Sequence, residues 1–260
     1  MPDDLRVDVV DHVATVTLDR PPVNAVDNGT YAAIESTFAS FADDRDVRVA
    51  IFTATGDRAF CAGVDLKSYG TTSRDDLPAK YAIDPARPAR DAMWAITGCA
   101  VPVIGAINGP ALGAGLALAA CCDILIASEN ATFGTTEINV GLLGASAHLS
   151  LLVGRHKARE MFFTGEQVPA SELYRVGAVR TVVPRDALLD TARELAATLA
   201  KKSPVALRLA KESMNRVEFL PLQDAYRIEQ DYTAKLRGYD DANEARQAFL
   251  EKRDPDWKWK

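Results

Sequence analysis

The sequence predicts an α/β fold with a helical C-terminal layer, and three observations carry that expectation. Short apolar runs alternate with helical patterns through the first half of the chain, glycine-containing turns follow two of those runs, and amphipathic helical patterns dominate from Ser146 onward.

In order along the chain, Leu5 to Val10 and Val13 to Leu18 flank Asp11-His12, the pattern of a β-hairpin. The stretch "YAAIESTFASFADD" has the apolar spacing of a helix, and Val47 to Thr53 is a run long and apolar enough for a buried strand. After it come the "AFCAGVDL" turn, a helical stretch from Ala89 to Thr97, a strand from Val103 to Ile107, a turn at Asn108-Gly109-Pro110, a buried helix, and a strand from Ile124 to Ala127. Strand, turn and helix recurring in this way place several turns on one side of a sheet. In the second half, "AVRTVVP" alone reads as extended among helical patterns that run to "DDANEARQAFLEKR". Pro169 with Ser171, and Ser203 with Pro204, read as helix starts, and Gly238 as a helix end. No low-complexity linker intervenes, so residues 1–200 read as one core and 201–260 as a helical region able to cover a partner subunit.

Composition narrows the function. With 48% hydrophobic and 25% charged residues the chain is globular in character. A net charge of −6 argues against a nucleic-acid partner. Ala100 to Cys122 carries no charge, but Pro102, Asn108-Gly109-Pro110, Gly113 and Gly115 break it, so no membrane partner is expected. The start, "MPDDLRVDVV", has no apolar signal core, and a cytoplasmic location is expected. Cys61, Cys99, Cys121 and Cys122 show no CxxC spacing and read as small buried residues. His12, His148 and His156 lack zinc-ligand spacing, so no metal is expected.

"GPALGAG" matches neither dinucleotide nor P-loop fingerprints, and "GASAH" ends in His148 where a serine nucleophile elbow needs glycine. The tight turns Ala62-Gly63-Val64-Asp65 and Leu112-Gly113-Ala114-Gly115 remain. Each is expected to lead toward a helix, where free main-chain N–H groups can point at one anionic oxygen; close helix packing explains the same glycines if each turn is taken alone.

Taken together, "RPPVNAV", "GDRAFCAGVDL", "INGPALGAGLALAACCDI", "ATFGTTEINVGLLG" and "AFLEKR" resemble, in order and over essentially the whole chain, the motifs of the crotonase superfamily, or enoyl-CoA hydratase/isomerase family. That resemblance implies a spiral of ββα units with a C-terminal helical layer, a homotrimer or dimer of trimers formed through the C-terminal helices, and an acyl-CoA substrate whose thioester enolate is held by two main-chain N–H groups. It implies no separate cofactor, coenzyme A being part of the substrate. It assigns the oxyanion donors to Val64 and Ala114, coenzyme A contacts to Asn24, Ala25, Ala62, Gly63, Asp65 and Leu66, and an aromatic and a lysine near coenzyme A to Phe249 and Lys252.

In the hydratases of this family two glutamates activate a water; the second position is Glu137 here, and the first is Ala117. A lone carboxylate suits double-bond isomerisation better than hydration, because it can take a proton from C2 of a 3-enoyl thioester and return it at C4. Ile138, Val140, Leu142 and Leu143 are expected to form an apolar wall that, with no nearby cation, strengthens Glu137 as a base. Where hydratases carry Pro-Gly-x-Gly-Gly the chain has Gly144-Ala145-Ser146-Ala147-His148, making His148 and Ser146 candidates for a second catalytic or orienting group, although Ser146 equally suits a helix cap. Tyr69, Tyr81 and Trp94 are candidates for the acyl pocket and equally ordinary core or interface aromatics.

Overall fold

A computed structural model of the chain describes residues 4–67 and 77–260. Among the described residues the central sheet has six strands in the order β1-β2-β3-β4-β6-β9: β1 (Leu5–Val10), β2 (Val13–Leu18), β3 (Val49–Ala54), β4 (Val103–Ile107), β6 (Ile124–Ser128) and β9 (Thr181–Val183). The β1/β2 hairpin is antiparallel, with Asp11 and His12 in the left-handed region at its tip, and every later pairing is parallel.

The continuous apolar runs of β3 and β4 follow from burial on both faces of the sheet. Val49, Ile51, Ile104, Ala106 and Ile126 pack with Leu188, Ala192 and Ala196 of α7 (Leu188–Ala200) on one face. Ala50, Phe52, Val103, Ile107 and Ala127 belong to the larger core on the other, with α1 (Asn28–Ser40), α3 (Arg87–Thr97), α4 (Ala114–Ala120) and α5 (Ser146–Thr164). Phe38, Phe52 and Phe60 interlock edge to face there. The short α2 (Ala79–Ile83) precedes α3.

A second, three-stranded sheet positions the turns of interest: β5 (Ala111–Leu112) runs parallel to β7 (Thr132–Gly134), which pairs antiparallel with β8 (Val168–Pro169). Two- and three-residue strands carry no period of their own, so none of the three is legible in the sequence. After α6 (Ala170–Arg175) and α7 the chain ends in α8 (Pro204–Val217), α9 (Leu222–Arg237) and α10 (Asp240–Glu251). Ser203 caps α8 through the Ala206 N–H, as the sequence implies. Ser146 does not cap α5: that helix starts from Ala145 in the left-handed region, and the Ser146 side chain is exposed within the first turn. In α9 the residues at helical spacing, Ala225, Ile228, Tyr232 and Leu236, are half-buried on one face and none of its residues is fully buried.

Candidate active site

Three segments meet at the ends of the two sheets. Phe60 and Cys61 donate their main-chain N–H groups to the Pro110 carbonyl at 3.0 and 3.2 Å, and Leu112 donates back to the Cys61 carbonyl at 2.9 Å. The two glycine turns therefore run side by side before each bends. Gly63, at φ +105°, lies so close to the second turn that a Cβ there would stand 3.3 Å from the Leu112 carbonyl oxygen and 4.0 Å from the Ala114 nitrogen. Gly115 is equally constrained, because a Cβ would run into the Cys61 carbonyl.

In the Val26/Val64 bridge, Val26 donates to the Gly63 carbonyl and Asp65 to the Val26 carbonyl, which leaves the Val64 N–H unused among the described residues. Ala114 is the first residue of α4, and its N–H likewise donates to no described backbone group. Two neighbouring turns thus present one free main-chain donor each. The first turn opens onto residues 68–76, which lie outside the described residues, as does Tyr69.

Glu137 arrives on the third segment. Gly113 donates to the Gly134 carbonyl at 2.9 Å, tying the second turn to β7, and a 3-10 helix over Thr136–Val140 then turns Glu137 back toward it. A Cβ on Gly113 would stand 2.7 Å from Glu137 Oε1 and 3.2 Å from Oε2, so the carboxylate lies against the residue that precedes Ala114. Oε2 is buried and has no hydrogen-bond partner among the described residues. Burial pushes the Glu137 carboxyl above the usual carboxylate range, against a weaker pull from its own main-chain amide. The expected apolar wall forms only in part, since Ile138, Val140 and Leu143 are 37%, 59% and 79% exposed and only Leu142 is half-buried. The exposed three reach solvent from the 3-10 segment and the loop after it, while the carboxylate itself lies close against the backbone at Gly113 and Gly144.

The remaining expected positions divide. His148 sits half-buried in the first turn of α5, where burial lowers its pKa and favours the neutral imidazole; no hydrogen bond among the described residues joins it to Glu137. Ala117 lies buried in α4 and brings only a methyl group. Asn24 is buried, donating to the Thr55 and Ala59 carbonyls, both at 2.9 Å, and accepting from the Arg20 N–H, so its side chain braces the first turn. Ala25 and Ala62 are half-buried beside it, and Leu66 is exposed. Phe249 is 83% exposed on α10, and no ion pair or hydrogen bond among the described residues joins Lys252 to the Ala62–Leu66 turn. Tyr81 is a buried aromatic bonded to Glu35 at 3.3 Å, whereas Trp94 is largely exposed. A groove of about 720 Å3, lined by Leu151, Leu152, Leu207 and Met214 among others, includes none of the expected site residues.

Arg20 is the residue that sequence reasoning passed over. Its guanidinium reaches Asp27 at 2.8 Å, Asp65 at 3.0 Å, Asp4 at 3.6 Å and the Ala25 carbonyl at 2.6 Å, fastening the turn that carries Val64 to the start of α1. Its partners lie as far as 45 residues away, so no local spacing marks the role. Cys61, although adjacent, is no nucleophile: burial pushes its thiol up to about 12. Among the described residues no group of His, Cys, Asp and Glu has the arrangement of a metal site, and no helix is long and apolar enough to cross a membrane.

Among the described residues, two unused amides on stitched turns lie beside a carboxyl group whose Oε2 has no hydrogen-bond partner, an arrangement able to move a proton next to a stabilised oxyanion. The family model for enoyl-CoA hydratase/isomerase matches residues 9–260. The chain is 38% identical over 241 residues to "(7aS)-7a-methyl-1,5-dioxo-2,3,5,6,7,7a-hexahydro-1H-indene-carboxyl-CoA hydrolase" of Rhodococcus jostii, covering 93% of this chain and 92% of that protein. It is 36% identical over 257 residues to the carnitinyl-CoA dehydratase of Salmonella paratyphi B, covering 95% of each. The crystal structure of an enoyl-CoA hydratase from Bacillus anthracis superposes with a TM-score of 0.90 at 31% identity, covering 99% of this chain and 100% of that one. The chain belongs to the enoyl-CoA hydratase/isomerase family, within the crotonase superfamily, and is an enzyme with that fold acting on a CoA thioester.

Proposed function

We propose that the enzyme forms an enolate from its thioester, with the Val64 and Ala114 amides holding the thioester oxygen and Glu137 moving the proton, and that its reaction is double-bond isomerisation. Glu137 takes a proton from C2 of a 3-enoyl-CoA, the electrons pass into the thioester oxygen as a dienolate, and the same carboxyl, exchanging its proton with solvent between the two steps, delivers a proton at C4. Each amide donor is worth about 3 kcal/mol in the transition state. The observation carrying this reading is the Glu137 carboxylate against Gly113 with Oε2 unpartnered. Ala117, a buried methyl, supplies no second carboxylate. The test is to incubate the protein with 3-hexenoyl-CoA and with crotonyl-CoA; fast hydration of crotonyl-CoA that survives Glu137→Gln would refute it.

A second reading is favoured by the relatives' names, a CoA hydrolase and a CoA dehydratase. In it the same pair of amides holds the thioester oxygen during hydration, thioester hydrolysis, decarboxylation or carbon–carbon cleavage, with His148 as the second group. His148→Ala separates the two, since isomerisation leaves that imidazole idle. A chain that binds CoA without turnover is the remaining alternative, tested by the same substrates.

We assign coenzyme A to Ala25 and the Ala62–Leu66 turn, with Asn24 acting through its brace, and Phe249 and Lys252 acting where helices of neighbouring subunits meet. Residues 1–200 then form the core and 201–260 assemble a homotrimer or dimer of trimers. The exposed Phe219, Leu222 and Tyr226 around α9 support this, being apolar area that a partner would cover. Light scattering at micromolar concentration tests it, a monomer contradicting the assembly.

A further inference from the structure

The Glu137 carboxylate is enclosed from two directions by residues that have no side chain. A Cβ on Gly113 would stand 2.7 Å from Oε1, and a Cβ on Gly144 would stand 2.7 Å from the same oxygen and 3.4 Å from Cδ. Carbon does not approach oxygen that closely without something yielding. Both oxygens meet the Gly113 position, Oε2 at 3.2 Å, and Oε1 meets the Gly144 position as well. Oε2 is not among the atoms nearest the Gly144 position, and it is the buried oxygen without a hydrogen-bond partner among the described residues.

The two glycines differ in what requires them. Gly113 has φ +54° and ψ −116°, a backbone conformation that other residues avoid, so its identity is explained by the turn alone. Gly144 is outside the positive-φ region. No left-handed turn calls for glycine there, and the three atoms nearest to an added Cβ, out to 3.6 Å, all belong to Glu137. With the carboxylate placed as it is in this chain, glycine at 144 is what leaves it room.

We propose that Gly144 is a positioning residue: with Gly113 it fixes where the Glu137 carboxylate lies. This rests on Glu137 being the acid/base. Alanine at 144 would force the carboxylate off its position, and displacements of about 1 Å at a reacting group cost on the order of 100-fold in rate.

The experiment combines kinetics with a stability cycle. Exchange of the C2 hydrogens of butyryl-CoA in D2O is followed by NMR for wild type, Gly144→Ala and Glu137→Gln. Melting temperatures are measured for wild type, Gly144→Ala, Glu137→Ala and the double variant. Gly144→Ala is expected to lower the maximal exchange rate by about 10- to 100-fold while the half-saturating butyryl-CoA concentration stays within about twofold. It is also expected to lower the melting temperature, and most of that loss should disappear when Glu137 is already alanine. An unchanged exchange rate, or the same melting loss with and without Glu137, would overturn the proposal. The melting cycle decides the contact even if Gly144→Ala is too unstable for kinetics. Exchange that persists in Glu137→Gln would instead remove the acid/base reading, and the cycle would still report whether the clamp exists.

Discussion

Glu137 touches Gly113, and Gly113 precedes Ala114: the carboxyl group and one of the two free amides are therefore separated by a single residue of backbone. In the proposed mechanism that adjacency links proton removal to charge stabilisation, because a base beside C2 lies next to the oxygen that receives the electrons.

Replacing Glu137 by glutamine keeps the shape and removes the base. Turnover of a 3-enoyl-CoA should fall by about 100- to 10,000-fold, the usual contribution of a positioned acid/base. Binding of the thioester, measured calorimetrically, should stay within a few-fold, since the amides of Val64 and Ala114 are untouched.

The rate should depend on pH with a definite sign. Burial raises the Glu137 carboxyl, and the ionised form is the base, so kcat/KM is expected to climb with pH and level off above the ordinary carboxylate range of about 4.3. The raised value also means that the folded protein holds this proton more tightly than the unfolded chain. The stability it contributes is present below the unfolded pKa and lost as pH rises through the folded one. Glu137→Gln should therefore melt higher than wild type near neutrality, the gap closing in acid; a gap that widens in acid contradicts the sign.

Arg20 offers a test remote from the chemistry. Arg20→Gln leaves Asp4, Asp27 and Asp65 without their shared cation. Because the guanidinium is about a quarter exposed, the stability loss is set at about 1–2 kcal/mol after solvent screening. The turn carrying Val64 loosens with it, so kcat should drop by roughly tenfold. Urea denaturation with parallel kinetics checks both.

Gly115→Ala should be far more damaging than its single methyl group suggests. The new Cβ would overlap the Cys61 carbonyl and push apart the two turns, costing about 3 kcal/mol or more. Thermal unfolding measures it, and a loss below about 1 kcal/mol would show that the turns are not packed as described.

Much of this architecture was legible because its elements have a period or an end signal. The hairpin at Asp11-His12, the Val103–Ile107 strand and the Ser203 cap are all written locally. The strands β5, β7 and β8 were not, being too short for periodicity, although β5 and β7 bring Gly113 to Gly134 and so Glu137 to Ala114. Arg20 was silent for a related reason: its partners come together only once β3 and the first turn are in place. The apolar wall formed only in part. Ile138, Val140 and Leu143 have the right composition, but they reach solvent from the 3-10 turn and the loop beyond it, while the carboxylate lies close against two glycines.

The most direct measurement follows the hydrogens themselves. With a 3-enoyl-CoA in D2O, wild type should incorporate deuterium at C2 and C4 as the double bond moves, and Glu137→Gln should leave both positions protonated over the same time. Deuterium entering C2 at equal rates in the two proteins, or the double bond moving at equal rates in both, would contradict proton transfer by Glu137.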